Sequence, residues 1–224
     1  MHLLSMAPLV SSILFAAAAF SAADARYVQG GSVITLEDFA SPSHSWEEQN
    51  DPVMGGKSTG TFTIKNSVGH FDGEVKDVPF LHAPGFIKVT STDKKPWADV
   101  SGCDAMVLNI QSNNTYAGLR MSFSKQKAPG GKFFSYGSKS QNPITAPVGH
   151  FAAVTIPFSE FSDDWDDATG KSIKLCDPTP GSANNVYCPS KDNLKDVQTM
   201  SFWGEGVDGE VQIQIKSVKA SGCK

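Results

Sequence analysis

Residues 211–218, Val-Gln-Ile-Gln-Ile-Lys-Ser-Val, place apolar side chains at Val211, Ile213 and Ile215 with polar residues between them. After a shift of one position, the apolar pattern returns at Val218. A period of two puts alternate side chains on opposite faces of a β-strand. This stretch therefore predicts a strand with one buried face.

Similar segments recur along the chain, separated by turn residues. We predict further strands at residues 59–65, 105–110, 116–124, 151–158 and 197–203. Clusters of Pro and Gly, such as residues 128–131 and 178–181, lie between strands. About ten strands are expected, and no segment keeps a helical period. Many short strands at regular spacing predict an all-β sandwich or barrel.

The composition is that of an ordinary globular protein. The chain has 224 residues, a formal net charge of −4 and 19 Lys and Arg residues, of which Arg26 and Arg120 are the two arginines. A nucleic-acid-binding protein normally has a basic surplus with prominent arginine, so we expect no nucleic-acid partner. The length suits one domain, which we place at residues 26–224.

The first 25 residues differ from the rest. Residues 9–20 are almost wholly apolar, and Ala23-Asp24-Ala25 places small residues where a signal peptidase reads them. We predict a signal peptide at residues 1–25, secretion or residence in the secretory pathway, and no membrane anchor after cleavage. Ala19-Phe20 also resembles the cleavage junction of plastid proteins imported through the secretory route. A mitochondrial presequence would need arginines along this segment, so that location is less favoured.

The four cysteines, Cys103, Cys176, Cys188 and Cys223, all follow the predicted signal peptide. An even number in such a chain indicates disulfides. Three pairings are possible, and we favour Cys176–Cys188 with Cys103–Cys223. The first would close a short loop rich in Pro, Gly and Asn, and the second would tie the C-terminus to an internal strand. Zinc is a poor alternative, because no C-x-x-C spacing and no nearby histidine is present.

Several catalytic or cofactor motifs occur in the wrong context. Residues 56–60 match G-x-S-x-G around Ser58, but a β pattern follows instead of a helix. Residues 204–209 match G-x-G-x-x-G, yet they lead into the strand at 211–218 and therefore predict a turn. The aspartates around Trp165 lack the spacing of a calcium loop. We therefore expect no catalytic residues, no metal site and no cofactor.

The most distinctive stretch is residues 46–58, Trp-Glu-Glu-Gln-Asn-Asp-Pro-Val-Met-Gly-Gly-Lys-Ser. It resembles the complex I intermediate-associated protein family, whose domain opens with a tryptophan followed by Asn-Asp-x-Val-Met-Gly-Gly-x-Ser. Similar blocks follow in order at residues 71–73, 84–86, 155–161 and 209–220. The resemblance extends over about residues 36–220.

This resemblance implies a jelly-roll β-sandwich of the galactose-binding-like type. It also implies a non-catalytic domain that, like the assembly factors of respiratory complex I, binds another protein and helps it to assemble. The predicted signal peptide and the cysteines depart from a mitochondrial role and suggest that the domain was redirected to the secretory route. Within the opening stretch we expect structural functions for Trp46, Met54, Gly55, Gly56 and Ser58.

A secreted carbohydrate-binding module is the alternative. Sugar-stacking candidates are Tyr116, Trp165 and Trp203, with Trp97 as a further aromatic residue. Candidate hydrogen-bonding residues are Asn50, Asp51 and Arg120. An exposed aromatic platform beside Arg120 would favour a sugar, whereas an exposed apolar patch would favour a protein partner.

Asn113-Asn114-Thr115 is an N-glycosylation sequon. It lies between two predicted strands, where an exposed turn is expected. If the chain passes through a eukaryotic secretory pathway, Asn113 is a candidate for a glycan.

Overall fold

A computed structural model of the chain describes residues 31–50, 55–93, 95–124 and 137–224. These residues form β-strands joined mainly by turns and loops, with one helix of five residues, α1 (Lys191–Lys195). Single 3₁₀ turns occur at Phe158–Glu160 and Ala183–Tyr187. The strands are β1 (Ser32–Asp38), β2 (Trp46–Asn50), β3 (Thr59–Lys65), β4 (Val68–Val75), β5 (Asp77–Val78), β6 (Ala83–Pro84), β7 (Phe86–Ser91), β8 (Ala105–Ser112), β9 (Leu119–Ser124), β10 (Ser138–Ser140), β11 (Ala152–Pro157), β12 (Phe161–Ser162), β13 (Thr199–Glu205) and β14 (Gly209–Cys223).

Two antiparallel six-stranded sheets make up the sandwich. Sheet A has the order β11-β8-β14-β4-β3, and β1 pairs with the second half of the long strand β14. Sheet B has the order β12-β10-β9-β13-β7-β2. Strands β5 and β6 form a separate small hairpin. The all-β prediction is confirmed, and β3 spans the seven residues predicted for it.

The core lies between the two sheets and is rich in phenylalanine. Phe71 of sheet A and Phe202 of sheet B are both completely buried, and Phe123 and Phe161 pack with their ring centroids 5.1 Å apart. Burial of a side chain of this size contributes about 1.5–3 kcal/mol. On β9 the alternation directs Leu119, Met121 and Phe123 into this core, and the residues between them point to the other face of sheet B.

A buried carboxylate, that of Glu37, fixes the loop between β1 and β2. Its Oε1 accepts hydrogen bonds from the backbone N–H groups of Asp38 and Ser43, both at 2.9 Å, and from the Ser43 hydroxyl at 3.2 Å. Its Oε2 accepts from the backbone N–H of His44 at 3.2 Å and from the indole N–H of Trp46 at 2.9 Å. Glu37 thus holds the first aromatic residue of β2 in the core.

Both favoured disulfides are present. Cys103–Cys223 joins residues 120 apart in sequence, and Cys176–Cys188 joins residues 12 apart. The first links the segment before β8 to the end of β14. Ser32 at the start of β1 pairs with Cys223, so the two ends of the described chain lie side by side.

Residues 163–190 form a long connection, which we call the stapled loop because the Cys176–Cys188 disulfide closes part of it. Backbone hydrogen bonds run from Asp163 N–H to the Tyr187 carbonyl at 2.9 Å and from Ile173 N–H to the Asp164 carbonyl at 2.9 Å. The serine hydroxyl of Ser162 donates to the Lys174 carbonyl. These hydrogen bonds hold residues 162–164 against residues 173–174 and against Tyr187, next to sheet B.

Candidate functional site

The face of sheet B that points away from the core, here called the outer face, carries charged and aromatic side chains. Directly paired residues of antiparallel strands point to the same side of a sheet. Trp203 pairs with Lys88 on one neighbouring strand and with Arg120 on the other, and Lys139 pairs with Ser122. The main residues of the outer face are Lys88, Arg120, Ser122, Lys139, Ser201, Trp203 and Glu205.

A fully buried ion pair lies at the centre of this face. The Lys139 ammonium is 2.7 Å and 2.9 Å from the two carboxylate oxygens of Glu205. It also lies 3.6 Å from the ring centroid of Trp165 and 3.7 Å from that of Trp203. The negative faces of the two indole rings attract the cation, which partly replaces its lost hydration. Together, these contacts hold the four side chains as one unit.

Burial strongly influences the charges of the outer face. It lowers the pKa of Lys139 to about 8, and the nearby Glu205 carboxylate opposes the shift. Burial likewise lowers the pKa of Lys88 to about 8, again against the attraction of Glu205. The pKa of the Tyr116 hydroxyl is raised by burial and by the charge of Glu205. Glu205 is therefore the common electrostatic partner of this cluster.

The stapled loop covers part of the outer face. The Trp165 indole N–H donates to the Gly137 carbonyl at 3.0 Å, and the Ser138 hydroxyl donates to the Asp163 carboxylate. Gly170, with φ of +67°, packs directly against Glu205, and a Cβ at this position would lie 2.2 Å from the carboxylate. The loop is thus seated on the sheet through specific contacts, and it encloses the Lys139–Glu205 pair.

The aromatic sugar-stacking candidates are all buried. Trp165 and Trp203 pack against each other and Phe86, with the ring centroids of the two tryptophans 5.9 Å apart. Tyr116 is also buried, and its hydroxyl donates to the Val207 carbonyl at 2.9 Å. Tyr116 belongs to the core between the sheets, whereas the two tryptophans form a separate cluster, and none of the three rings presents an open stacking surface.

Arg120 points to the outer face, as the alternation predicts, but it is buried. Its Nη1 donates to the carbonyls of Ser140 at 2.9 Å and Gln141 at 3.0 Å. Its Nε is buried and has no hydrogen-bond partner among the described residues. The guanidinium therefore ties β9 to β10, which gives it a structural function in this arrangement.

The distinctive opening stretch forms the connection from β2 to β3. The Asn50 side-chain oxygen accepts a hydrogen bond from the Gly60 backbone N–H. Gly55 has φ of +81°, a conformation that disfavours any residue with a Cβ. Gly56 is partly buried and follows it directly. Asp51 and Met54 lie outside the described residues.

Two catalytic-looking motifs are used for structure. The Ser58 hydroxyl is buried and accepts a hydrogen bond from the Lys76 backbone N–H at 3.0 Å, and strand β3 follows it. Gly206, with φ of +72°, lies in the turn between β13 and β14, and Gly209, with φ of +132°, begins β14. Within the described part of the chain, no group of three or more His, Cys, Asp or Glu side chains is arranged to hold a metal ion. No helix in that part is long and apolar enough to span a membrane.

Exposed apolar side chains occur on the stapled loop. Ile173, Leu175 and Val186 are 60%, 57% and 75% exposed, and we call these three residues the apolar patch. Val186 is one of the residues that line an open groove of about 480 Å³ beside the Cys176–Cys188 disulfide. Its lining includes Phe158, Pro178, Val186 and Pro189. Such a surface suits contact with apolar groups of another molecule.

A second hollow, of about 350 Å³, lies on the outer side of sheet A. Its lining includes Phe151, Asn109, Ser217 and Lys219. One face of the Phe151 ring is covered by the ammonium of Lys216, which lies 4.0 Å from the ring centroid. The hollow combines an aromatic ring with polar side chains, as small-molecule sites do.

Sequence reasoning missed Lys139, Glu205 and Lys88, because alternating charges on strands are usually exposed to solvent. It also missed the apolar patch. The signals for the patch were Ile173, Leu175 and Val186 themselves, which are large apolar residues in a stretch that lacks any regular period.

Comparison with solved structures agrees with the sandwich architecture. The chain resembles a family 11 carbohydrate-binding module from Clostridium thermocellum, solved in complex with a β-1,3-1,4-mixed-linked tetrasaccharide, with a TM-score of 0.52 and 14% identity. The match covers 85% of this chain and 95% of that one. An exo-β-agarase matches with a TM-score of 0.44 and 12% identity over 85% of this chain and 26% of its own. At such identity the similarity to the carbohydrate-binding module shows the fold alone, a jelly-roll sandwich.

No curated protein matches the chain significantly. The family model of complex I intermediate-associated protein 30 (CIA30) matches residues 37–174, which is more than half of the 224 residues. The match begins at Glu37, the carboxylate that holds Trp46, and extends into the stapled loop. The resemblance inferred from the opening stretch is confirmed, and the chain belongs to the complex I intermediate-associated protein 30 (CIA30) family.

Proposed function

We propose that this protein is a non-catalytic binding domain that engages an apolar segment of another protein through the apolar patch and its groove, as an assembly factor does. The observation that carries the proposal is the exposure of Ile173, Leu175 and Val186 on the stapled loop, together with the groove that Val186 lines. Leaving three large apolar side chains in water is unfavourable, and burying them against a partner recovers that free energy. Membership of the CIA30 family supports the same class of function.

The patch is suited to selective binding because its frame is fixed. The Cys176–Cys188 disulfide and the backbone hydrogen bond from Asp163 to Tyr187 limit the movement of the segments that carry Leu175 and Val186. A surface that is ordered before binding loses less conformational entropy when a partner docks. Lys191 lies at the groove and places a positive charge beside the apolar lining.

Carbohydrate binding is the second candidate, and the specific observation that favours it is the hollow around Phe151 on sheet A. An aromatic ring with Asn109 and Lys219 nearby offers both stacking and hydrogen bonds to a sugar. The outer face of sheet B supports this function less, because Trp165 and Trp203 are enclosed there. The partial cover of Phe151 by Lys216 also reduces the stacking surface.

The decisive experiment introduces a negative charge at one of two apolar positions of similar exposure and compares the effect of each substitution on partner binding. Leu175→Glu alters the apolar patch, whereas Val33→Glu alters a residue of β1 that is 59% exposed, close to the 57% of Leu175. Proteins captured from the native source by the wild type are identified, purified and titrated by calorimetry against both variants. We expect Leu175→Glu to weaken binding at least tenfold and Val33→Glu to leave it unchanged.

Equal binding by wild type and Leu175→Glu would exclude the apolar patch. A glycan array provides the contrasting result. Binding of a defined oligosaccharide that is lost in Phe151→Ala and kept in Leu175→Glu would establish the carbohydrate function instead.

We also propose that the protein works in an oxidising compartment reached through the secretory route, with the plastid as an alternative destination. The two disulfides support an oxidising environment. The predicted signal peptide, residues 1–25, lies outside the described residues. Sequencing of the N-terminus of the native protein tests this routing, and the expected first residue is Arg26.

A further inference from the structure

We infer that Asn113 is an N-glycosylation site whose glycan covers the end of the sandwich opposite the groove at Phe158. The inference rests on the proposed secretory routing. Asn113 follows β8 and begins the turn that leads to β9. Asn113 and Thr115, the two residues that define the sequon, are both exposed.

The turn holds the backbone of Asn113 and leaves its side chain accessible. The Asn113 backbone N–H donates to the Gln212 carbonyl at 3.0 Å. Its side chain makes no hydrogen bond with any other described residue. On either side, the Ser112 hydroxyl donates to the Asn114 carbonyl at 2.6 Å, and Tyr116 is anchored through its hydroxyl to the Val207 carbonyl. A glycan attached here can therefore point into solvent while the fold stays intact.

The neighbouring asparagine gives an internal contrast. The side-chain N–H of Asn114 donates to the Glu210 carbonyl at 2.9 Å, and its side-chain oxygen accepts from the Ser112 hydroxyl at 3.2 Å. Asn114 is followed by Thr115 and Tyr116, so it is not the acceptor of a sequon. The residue with the correct motif is thus also the one with the free amide.

The chemistry requires a lipid-pyrophosphate-linked oligosaccharide as the donor. The Asn113 Nδ2 forms a bond to C1 of the first sugar, while the bond from C1 to the pyrophosphate oxygen breaks. Nδ2 loses one proton, and the lipid pyrophosphate leaves. No electron transfer occurs, and the product keeps one amide N–H.

The position of the glycan agrees with the proposed protein-binding surface. Strand β8 pairs at Ala105 with Pro157, which is next to the groove residue Phe158, and it ends at Ser112 beside Asn113. Seven steps along a strand correspond to about 23 Å, so the two ends are well separated. Val148, which bridges to Ser112, and Val207 are exposed at the Asn113 end. A glycan would shield these two apolar residues and leave the groove at Phe158 open.

The test uses the full chain with its own N-terminus, produced in a eukaryotic secretory host. The secreted protein is treated with peptide N-glycosidase in ¹⁸O water, which converts a glycosylated asparagine to labelled aspartate. We expect a mass loss on treatment and labelled aspartate at position 113. Asn113→Gln and Thr115→Ala should abolish both signals, whereas Thr115→Ser and Asn114→Gln should keep them.

The possible failures are distinguishable. Secreted wild-type protein that carries no label at position 113 would overturn the glycan while leaving the routing proposal intact. Protein that remains in the cytosol with residues 1–25 attached would overturn the routing proposal and, with it, glycosylation. A glycan that persists in Asn113→Gln would assign the modification to another residue and overturn the site.

Discussion

The ammonium of Lys139 on β10 and the carboxylate of Glu205 on β13 are joined by two hydrogen bonds of 2.7 Å and 2.9 Å, although β9 lies between their strands. Both side chains are buried, so neither charge is compensated by water. Removing water from an ion pair is costly, and loss of one partner leaves the other charge unpaired. The pair therefore couples the position of the stapled loop, through Trp165, to the centre of sheet B.

The first prediction concerns the pH dependence of stability at Lys139. Burial lowers the pKa of Lys139 from 10.5 to about 8, so the unfolded chain binds more protons than the folded one between these pH values. The free energy of unfolding should consequently rise with pH in this window, by at most about 1.4 kcal/mol per pH unit for one proton. This rise in the free energy of unfolding should be absent below about pH 8, the pKa of Lys139 in the folded protein. It should be complete above 10.5, the pKa of Lys139 in the unfolded chain.

Urea denaturation at several pH values from 7 to 10.5 measures how the free energy of unfolding of the wild type changes with pH. The same series on Lys139→Met, which lacks the titrating ammonium group, gives the reference. Lys171→Met is the control, because Lys171 is exposed on the stapled loop. A stability difference between wild type and Lys139→Met that stays constant with pH would contradict the prediction.

The second prediction concerns Glu37. In Glu37→Gln, one of the two acceptor oxygens becomes an NH₂ group facing N–H donors. We expect the free energy of unfolding to fall by about 2–3 kcal/mol, because buried donors lose a charged acceptor. Chemical denaturation measures the loss, and the indole fluorescence of Trp46 should change with it. Glu48→Gln, at an exposed position on β2, should behave as wild type.

The third prediction concerns Gly55. Its φ of +81° is the cause of the expected effect, because an added Cβ would meet no atom of the described residues within 4 Å, apart from its chain neighbours. Gly55→Ala should lower stability by about 1–2 kcal/mol through backbone strain alone, and Gly55→Val should lower it further. Gly55→Asn should cost less than Gly55→Ala, since asparagine tolerates this conformation. Equal melting temperatures for wild type and Gly55→Val would refute the explanation.

The fourth prediction concerns the Cys176–Cys188 disulfide. Replacing both cysteines by alanine should destabilise the protein by about 3 kcal/mol, from the chain entropy that a loop of this size regains. Replacing Cys103 and Cys223 by alanine should lower the free energy of unfolding further, by about 5 kcal/mol, because that disulfide closes a longer loop. Thermal denaturation compares the two variants. Peptide mapping without reductant should recover the same two pairs, and free thiols in the native protein would contradict both the pairing and the oxidising compartment.

The regular strands could be predicted from sequence because their alternation is local. Residues 59–65 form β3 as predicted, and Arg120 lies on the opposite face of β9 from Leu119 and Met121, as the alternation of a strand requires. The two disulfides also followed, since a short irregular loop and a chain end are natural places for them. Family membership depended on the residues around Gly55 and Gly56, which combine a rare order of residue types with a special backbone conformation.

The burial of the outer face could not be predicted, because it depends on contacts between distant segments. Nothing near Lys139 in sequence indicates that Trp165 and Trp203 enclose it. The same holds for Arg120, which looks like a surface residue until the neighbouring strand β10 and the loop beyond it are in place. Long loops lack a period that would fix their course, and the stapled loop decides which side chains of sheet B meet solvent.

The pairing of Ser32 with Cys223 has a practical consequence for how the domain can be attached to other molecules. Any polypeptide joined before residue 32 or after Lys224 leaves the sandwich at the same corner, so a tether at either end should orient the domain in nearly the same way on a solid support. The two ends are also close enough for a short linker to connect them directly. A circular permutant opened at the exposed turn formed by Asn66 and Ser67 would therefore keep every strand of sheet A while presenting its new ends at the β3–β4 turn.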